Sequence, residues 1–156
     1  MKAKTIAILA LFIVLSAVAI ALAQGYPITI TSVQIKDLNG YTRTTFNRGE
    51  VVVIETTLYG NPGYYYYYYA PEGVSYLEII EVFWTQKNWV MSLLLTRDSI
   101  KTGETKTFGG GYKIRDDDPT GNYLVKVFVW NGFPSEVGAA WAPLADMKTK
   151  SFKVNP

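Results

Sequence analysis

The chain of 156 residues is 49% hydrophobic and 15% aromatic, which is enough apolar surface for one ordinary domain to bury a core. Lys2 and Lys4 are the only charged residues before Gln24, so the other 13 basic residues balance the 13 acidic ones, and no basic cluster indicates a nucleic-acid partner. The absence of Cys and His excludes a thiol nucleophile, a disulfide framework, a Ser-His-Asp triad and an ordinary zinc site, so we expect a non-enzymatic protein without a cofactor.

The N-terminus has the pattern of an export signal. A short basic lead precedes an uncharged apolar run, Thr5–Ala23, which ends in the small-residue triplet Ala21-Leu22-Ala23. Cleavage after this triplet would make Gln24 the first mature residue. The run is also long enough to span a bilayer as a helix, so residues 1–23 are either a signal peptide or a membrane anchor. Both alternatives predict an exported protein, at the cell surface or outside the cell, that contacts the membrane only through residues 5–23 if they are not cleaved.

After the apolar run the hydrophobic pattern takes the period of two that is typical of β-strands. Ile28 and Ile30 alternate with polar residues, the phase slips at Thr31-Ser32, and the alternation resumes with Val33 and Ile35. This slip predicts a β-bulge in the first strand.

Six consecutive tyrosines follow the second predicted strand, Glu50–Leu58. Gly and Pro residues bracket the run, and a homopolymer has no period of two, so we expect a loop. Phenol rings combine stacking faces with hydroxyl groups, which suits the binding of carbohydrate or peptide. The alternative is a lengthened, tolerated loop that only covers the sandwich edge. The candidate binding residues are Tyr64, Tyr65, Tyr66, Tyr67, Tyr68 and Tyr69.

The rest of the chain predicts further short strands joined by turns. A long irregular connection, Asn131–Ala145, precedes the last of them. The predicted strands are Leu77–Trp84, Trp89–Leu95, Thr105–Phe108, Tyr112–Arg115 and Met147–Val154, together with a strand that begins near Tyr123.

A turn with Asp118 and Gly121 leads into a strand that begins with Tyr123. This spacing resembles the tyrosine corner of immunoglobulin-like sandwiches, in which a Tyr hydrogen-bonds back across the turn. The resemblance implies that Asp118, Gly121 and Tyr123 form a structural corner. Val125 takes the position of the antibody cysteine, so packing alone would hold the core.

Short strands at intervals of about 8–12 residues describe an antiparallel sandwich. Phe46–Val53 resembles the start of the second strand in many secreted bacterial and archaeal Ig-like domains, and most of Gln24–Pro156 resembles secreted Ig-like surface domains of thermophilic archaea. We therefore expect an all-β chain: a single immunoglobulin-like antiparallel β-sandwich with Greek-key connections over residues 24–156, preceded by the hydrophobic export helix of residues 1–23.

Acidic residues offer little chemistry. Asp116, Asp117 and Asp118 are weak metal candidates, because a calcium loop spaces its ligands and brings additional oxygen donors, whereas a turn stabilised by Asp118 explains them more simply. Glu78 and Glu81 lie three apart on a predicted strand and should project to opposite faces, so they cannot flank a glycosidic bond.

The strand after Tyr123 should present large apolar groups on its outer side. If the alternate valines face the core, then Leu124, Lys126, Phe128 and Trp130 face outward. Either Asn131–Ala145 or the tyrosine loop covers this face within the chain, or the face is a subunit interface.

The start of the cleaved chain is built like a free strand. Gly25–Thr31 is uncharged, alternating and limited in helix formation by its proline. We hypothesise that Ile28 and Ile30 insert into a neighbouring subunit, with Phe128 and Trp130 as secondary contacts. The alternative is that the segment is the first strand of its own sandwich.

Three functions are compatible with these features. The first is a structural or adhesive surface protein, such as a filament or surface-layer subunit, which would associate with itself or with a surface-layer protein. The second resembles archaellum stator proteins, with Thr5–Ala23 retained as an anchor and the sandwich gripping the surface layer. The third is a binding module that uses the tyrosine loop against carbohydrate or peptide.

Overall fold

A computed structural model describes residues 25–62 and 72–156, in which eight β-strands form two facing sheets. The strands are rich in Val, Ile, Thr and aromatic residues, which suit a pleated, half-buried surface. They are β1 (Ile28–Lys36), β2 (Thr45–Asn47), β3 (Val51–Gly60), β4 (Val74–Trp84), β5 (Trp89–Ile100), β6 (Thr105–Lys113), β7 (Gly121–Trp130) and β8 (Lys148–Asn155). A single-turn helix, α1 (Pro134–Val137), and a 3₁₀ turn, Gly138–Ala140, interrupt the connection between β7 and β8.

The two sheets have different sizes. One contains three strands in the order β1-β3-β6, and the other contains five in the order β2-β8-β7-β4-β5. All neighbouring strands are antiparallel except β2 and β8. The chain crosses from one sheet to the other after β1, β2, β3, β5 and β6. The expectation of an all-β sandwich is therefore confirmed.

The core lies between the sheets and follows from period-two alternation. In β7 every second residue is buried, and β3 shows the same pattern over its whole length. Apolar burial of this kind contributes about 25 cal/mol per Å² and is the main stabilising term in a domain without disulfides. Its largest fully buried side chains include Tyr123, Phe46, Ile54, Leu58 and Ile80.

The first strand shows the predicted bulge. Its register against β3 shifts between Ile30 and Ser32, which leaves Thr31 as the extra residue. Ile28 and Ile30 are buried in the core of their own chain, and the backbone N–H of Ile28 donates to the carbonyl of Leu144 at 3.0 Å. The segment is thus the first strand of its own sandwich here rather than a free strand, and its donation to a neighbouring subunit stays a prediction.

The sequence wrongly divided one strand into two. The two short strands predicted around three glycines are the single strand β6, in which Gly109–Gly111 pair with Val53–Glu55 of β3. Gly110 faces the interior, where an added Cβ would come within 2.6 Å of the Leu94 Cδ1 atom. The glycines therefore allow the opposite sheet to pack closely against the β6 backbone instead of breaking the strand.

Two predicted features lie outside the described residues. They are the export helix of residues 1–23 and the tyrosine run Tyr64–Tyr69. Across residues 25–62 and 72–156, no helix has the length and apolar character needed to cross a membrane.

Candidate functional site

The five-stranded sheet has an outer face that points away from the three-stranded sheet. Leu124, Lys126, Phe128 and Trp130 of β7 lie on it and are partly buried, while the residues between them are in the core. β4 runs beside β7. Leu77 is opposite Trp130, and other β4 residues are opposite the remaining three outward residues of β7. The outward orientation of these four residues follows the predicted alternation.

The connection between β7 and β8 folds over one end of this face. The N–H of Leu144 donates to the carbonyl of Val129 at 2.8 Å, which ties the returning chain to the end of β7. Asn131 fixes the loop from inside, because its side chain donates to the Ala140 carbonyl and accepts from the Ala142 N–H, at 2.7 and 3.0 Å. Of the two predicted ways to cover the face within the chain, the loop between β7 and β8 does so at this end.

An aromatic row, defined as Phe128, Trp130 and Trp141, results from this fold. The rings of Trp130 and Trp141 meet edge to face with centroids 4.7 Å apart, and Phe128 lies 5.6 Å from Trp130. Trp141 remains partly accessible at the rim. Edge-to-face packing favours a defined mutual orientation of Trp130 and Trp141, so the row is an ordered apolar surface.

A groove of about 620 Å³ opens beside the aromatic row, between β4, β5 and the β7–β8 loop. Its walls combine hydroxyl, carboxylate, guanidinium and amide groups with the apolar side chains of Leu77 and Val137. The lining residues are Ser75, Tyr76, Leu77, Arg97, Asp98, Ser99, Asn131, Gly132, Glu136 and Val137.

An ion pair crosses the groove from β5 to α1. Nη2 of Arg97 lies 2.5 Å from both carboxylate oxygens of Glu136, and the guanidinium lies 5.1 Å from the centre of the Phe133 ring. Hydrogen bonds from Arg97 and then from the Phe133 N–H hold the pKa of Glu136 below its ordinary value. Because both groups are largely exposed, the pair orients polar groups in the groove more than it stabilises the fold.

A second surface lies at the edge of the same sheet. β5 is the outermost strand, and its outward side chains Val90, Leu93 and Leu95 are 50%, 57% and 52% exposed. We call these three residues the edge patch. An uncovered apolar patch on an edge strand is the arrangement that proteins usually avoid unless another chain pairs with it.

The predicted corner residues meet at the turn between β6 and β7. The hydroxyl of Tyr123 donates to the carbonyl of Pro119 at 2.6 Å, which is the hydrogen bond back across the turn that the sequence suggested. Asp118 is buried beside it and accepts from the hydroxyl of Tyr112 at 2.5 Å and from the N–H of Arg115 at 2.9 Å. Gly121 takes a positive φ of 118°, which favours glycine at this position.

The Asp118 carboxylate is therefore occupied by protein donors. Burial alone would raise the pKa of Asp118, but the hydrogen bonds from Tyr112 and Arg115 and the charge of Arg115 outweigh it and leave the pKa below its ordinary value. Asp116 and Asp117 are exposed, and the part of the chain that the structure describes holds no group of three or more acidic side chains placed to bind a metal ion.

Glu78 and Glu81 point to opposite faces, as the spacing predicted. Glu81 is on the outer face and lies 3.1 Å from the Lys126 ammonium. Glu78 is fully buried between the sheets, where its Oε1 accepts a 2.5 Å hydrogen bond from Thr56. Burial raises the pKa of Glu78 above its ordinary value, against the opposing effect of the Thr56 hydrogen bond.

Comparisons with known proteins identify the fold. No protein-family model and no curated protein sequence matches the chain. Among solved structures, the chain is similar to the C-terminal domain of Wzt, with a TM-score of 0.62 and 13% identity over 85% of this chain and 75% of that one. It is also similar to part of the alkylpurine DNA glycosylase AlkC from Pseudomonas fluorescens, with a TM-score of 0.55 and 15% identity over 85% of this chain. The match spans only 31% of AlkC. At such identities the likeness shows a β-sandwich and does not extend to activity.

Proposed function

We propose that this chain is an exported, non-catalytic surface protein whose β-sandwich binds carbohydrate in the groove beside the aromatic row. The observation that carries the proposal is a groove that holds the Arg97–Glu136 pair and adjoins the aromatic row, because its wall residues Leu77 and Asn131 are the β4 partner and the chain neighbour of Trp130. Export is supported by the N-terminal pattern, and the crossings between the sheets support a Greek-key, immunoglobulin-like connectivity.

The chemistry of the groove suits a sugar ring. A sugar has an apolar face of C–H groups and a rim of hydroxyls that both donate and accept hydrogen bonds. The aromatic row beside the groove offers an apolar surface for the face, and the guanidinium of Arg97 and the carboxylate of Glu136 offer charge-assisted partners for the rim. Ser75 and Ser99 add hydroxyl groups to the same walls. A volume of about 620 Å³ lies in the range of ligand sites, which is roughly 300–1,000 Å³.

Glycan-array binding followed by titration of the full chain, in a detergent without a sugar headgroup, tests this function. We expect Trp141→Ala and Glu136→Gln each to weaken binding by about tenfold, because each removes one of the two kinds of contact. Trp89→Ala is the matched control, since Trp89 is an exposed tryptophan outside the groove and the aromatic row. Unchanged affinity in both groove variants would refute the site.

The tyrosine loop provides a competing location for the same activity. Tyr69, the last residue of the run, precedes Ser75 in the groove wall by six positions along the chain. Replacing Tyr64–Tyr69 with serines separates the two locations. Loss of binding in that variant alone would assign recognition to the loop, and loss in the groove variants alone would assign it to the groove.

A second candidate function is structural, as a filament or surface-layer subunit. The edge patch favours it, because exposed leucines on an outermost strand suit pairing with another copy of the chain. A stator-like accessory role requires instead that residues 5–23 remain as an anchor. The mass of the native protein and its distribution between membrane and soluble fractions decide whether that segment is retained.

A further inference from the structure

We propose that a small cavity between the two sheets binds a short-chain primary ammonium ion, with the buried carboxylate of Glu78 as its counter-charge. This site lies between the sheets, whereas the carbohydrate groove lies on the outer face. Tyr76 and Asp98 line both, but Glu78 lines only the cavity, so neither proposal depends on the other.

Glu78 is unusual among the residues of the core. It projects from β4 toward β3, is fully buried, and forms one hydrogen bond, from Thr56 to its Oε1 atom. Its Oε2 atom is also buried and has no hydrogen-bond partner among the residues that the structure describes. A buried acceptor left unpaired costs about 1–3 kcal/mol, and more when it is charged, so this position favours an added donor.

The cavity that Glu78 lines has a volume of about 160 Å³ and lies where β5 and β6, the edge strands of the two sheets, face each other. Tyr76, Leu58 and Phe108 form apolar parts of its wall. Thr96 and Thr107 add hydroxyl groups.

An ion pair connects the two edge strands beside the cavity. The ammonium of Lys106 lies 2.6 Å from Oδ2 of Asp98, and both residues line the cavity and are partly exposed. The Lys106 ammonium also lies 3.9 Å from Glu104. The cavity is therefore reached past a pair of solvent-accessible charges rather than through the packed core.

The charges around the cavity select a cation. Two carboxylates, Glu78 and Asp98, line it against one ammonium, so an anion would be repelled once Glu78 is ionised. The rings of Tyr76 and Phe108 attract cations through their faces, and their carbons accommodate an alkyl stem. The volume restricts the ligand to a few heavy atoms, which indicates a short alkylammonium group.

Binding should release a proton. Burial raises the pKa of the Glu78 carboxyl in the free protein, so at a pH below that raised pKa the incoming ammonium ion replaces a bound proton. The other charged or titratable groups that line the cavity are Tyr76 on β4, Asp98 on β5 and Lys106 on β6, and Thr56 of β3 contributes no charge. We therefore expect affinity to increase as the pH rises through the titration of Glu78.

Calorimetric titration of the full chain with propylammonium chloride tests the proposal, with 1-propanol and sodium propionate as probes of the same size. We expect saturable binding of propylammonium only, with an affinity that rises with pH above the ordinary carboxyl range as Glu78 ionises. Glu78→Gln keeps the shape of the side chain and should weaken binding by at least about tenfold and remove its pH dependence. Thermal denaturation of this variant confirms that it is folded.

Asp98→Asn tests whether binding depends on the buried carboxylate of Glu78 or on the partly exposed carboxylate at the opening of the cavity. This change should leave part of the affinity and all of its dependence on Glu78. Any one of four results would overturn the proposal. These are no binding of propylammonium, equal binding of 1-propanol, unchanged affinity in Glu78→Gln, and loss of binding in Asp98→Asn alone. Trp141→Ala should leave this binding unchanged, so a failed carbohydrate site and a failed ammonium site are distinguishable.

Discussion

Tyr123, whose side chain is buried, stabilises the turn between β6 and β7 through a partly buried hydrogen bond to the carbonyl of Pro119. We expect Tyr123→Phe to lower the free energy of unfolding by about 1–3 kcal/mol, because the Pro119 carbonyl loses its donor inside the protein. The ring remains stacked against Phe152, with centroids 5.1 Å apart, so the decrease in the free energy of unfolding measures the contribution of the hydroxyl alone. Chemical denaturation measures the change.

Tyr41→Phe is the matched control for this change, since Tyr41 is exposed and should shift stability by no more than about 0.5 kcal/mol. Equal denaturation midpoints for Tyr123→Phe and the wild type would show that the hydrogen bond does not stabilise the turn.

Glu78 should make the protein less stable as the pH rises. Its pKa is raised in the folded chain, so between its ordinary value and the raised value the folded state holds more protons than the unfolded state, and the free energy of unfolding falls with pH. We expect Glu78→Gln to increase stability at neutral pH by about 1–3 kcal/mol and to have little effect in acid, where Glu78 is protonated in both states.

Denaturation curves at several pH values check this expectation. Glu81→Gln is the control, because Glu81 lies on the outer face in a pair with Lys126 and its loss should not stabilise the chain. A wild type and a Glu78→Gln variant with parallel pH profiles would contradict a buried, titrating Glu78.

At the scale of elements, the edge patch on β5 makes the structural role testable. We expect Leu93→Lys to reduce self-association in sedimentation velocity, because a charge on an edge strand opposes pairing with another copy. The free energy of unfolding should change by no more than about 0.5 kcal/mol, since Leu93 is 57% exposed.

Leu38→Lys provides the comparison for the edge patch. Leu38 is 72% exposed and lies in a turn outside the sheet edge, so its replacement should leave association unchanged. If both variants associate like the wild type, β5 is not a contact between copies.

The elements that the sequence predicted best are those whose side chains alternate. The slip at Thr31 was visible because Ile28 and Ile30 are in one phase of the alternation and Ile35 is in the other. Both sets can face the same core only if the strand contains an extra residue between them. β6 was divided because glycine normally marks a turn, and the close approach of Leu94 that requires Gly110 comes from a strand in the other sheet. Local patterns cannot show such a contact.

The candidate sites were less predictable than the fold for the same reason. Arg97 and Glu136 are 39 positions apart, and neither stands in a motif. The outward direction of Trp130 followed from alternation, but its contact with Trp141 depends on the path of an irregular loop. The spacing of Glu78 and Glu81 predicted opposite faces, but assigning Glu78 to the interior required knowing which β4 residues face β3.

At the scale of the whole molecule, the first strand is the test of assembly by strand donation. We expect deletion of Gln24–Thr31 to unfold the chain, because it removes Ile28 and Ile30 from the core and each buried isoleucine contributes about 2–5 kcal/mol. Together they approach the total stability of an ordinary domain, about 5–15 kcal/mol. Circular dichroism and sedimentation velocity report the result.

A chain that begins at Gln24 is the control for this deletion, since it keeps every strand of the sandwich. A folded monomer that has lost only its ability to polymerise would instead support donation of this strand to a neighbouring subunit.

The start of β1 and the end of β8 lie at opposite ends of the sandwich. Ile28 begins β1 beside Leu144 and the end of β7, whereas Val154 of β8 pairs with Gly121 at the start of β7. A pull between the two termini would therefore act along β1, and its eight register pairs with β3 would bear the load together in shear instead of opening one at a time. Rupture under tension is governed by the rate of unfolding, so a protein held at one terminus and loaded at the other would resist extension as a mechanical tether.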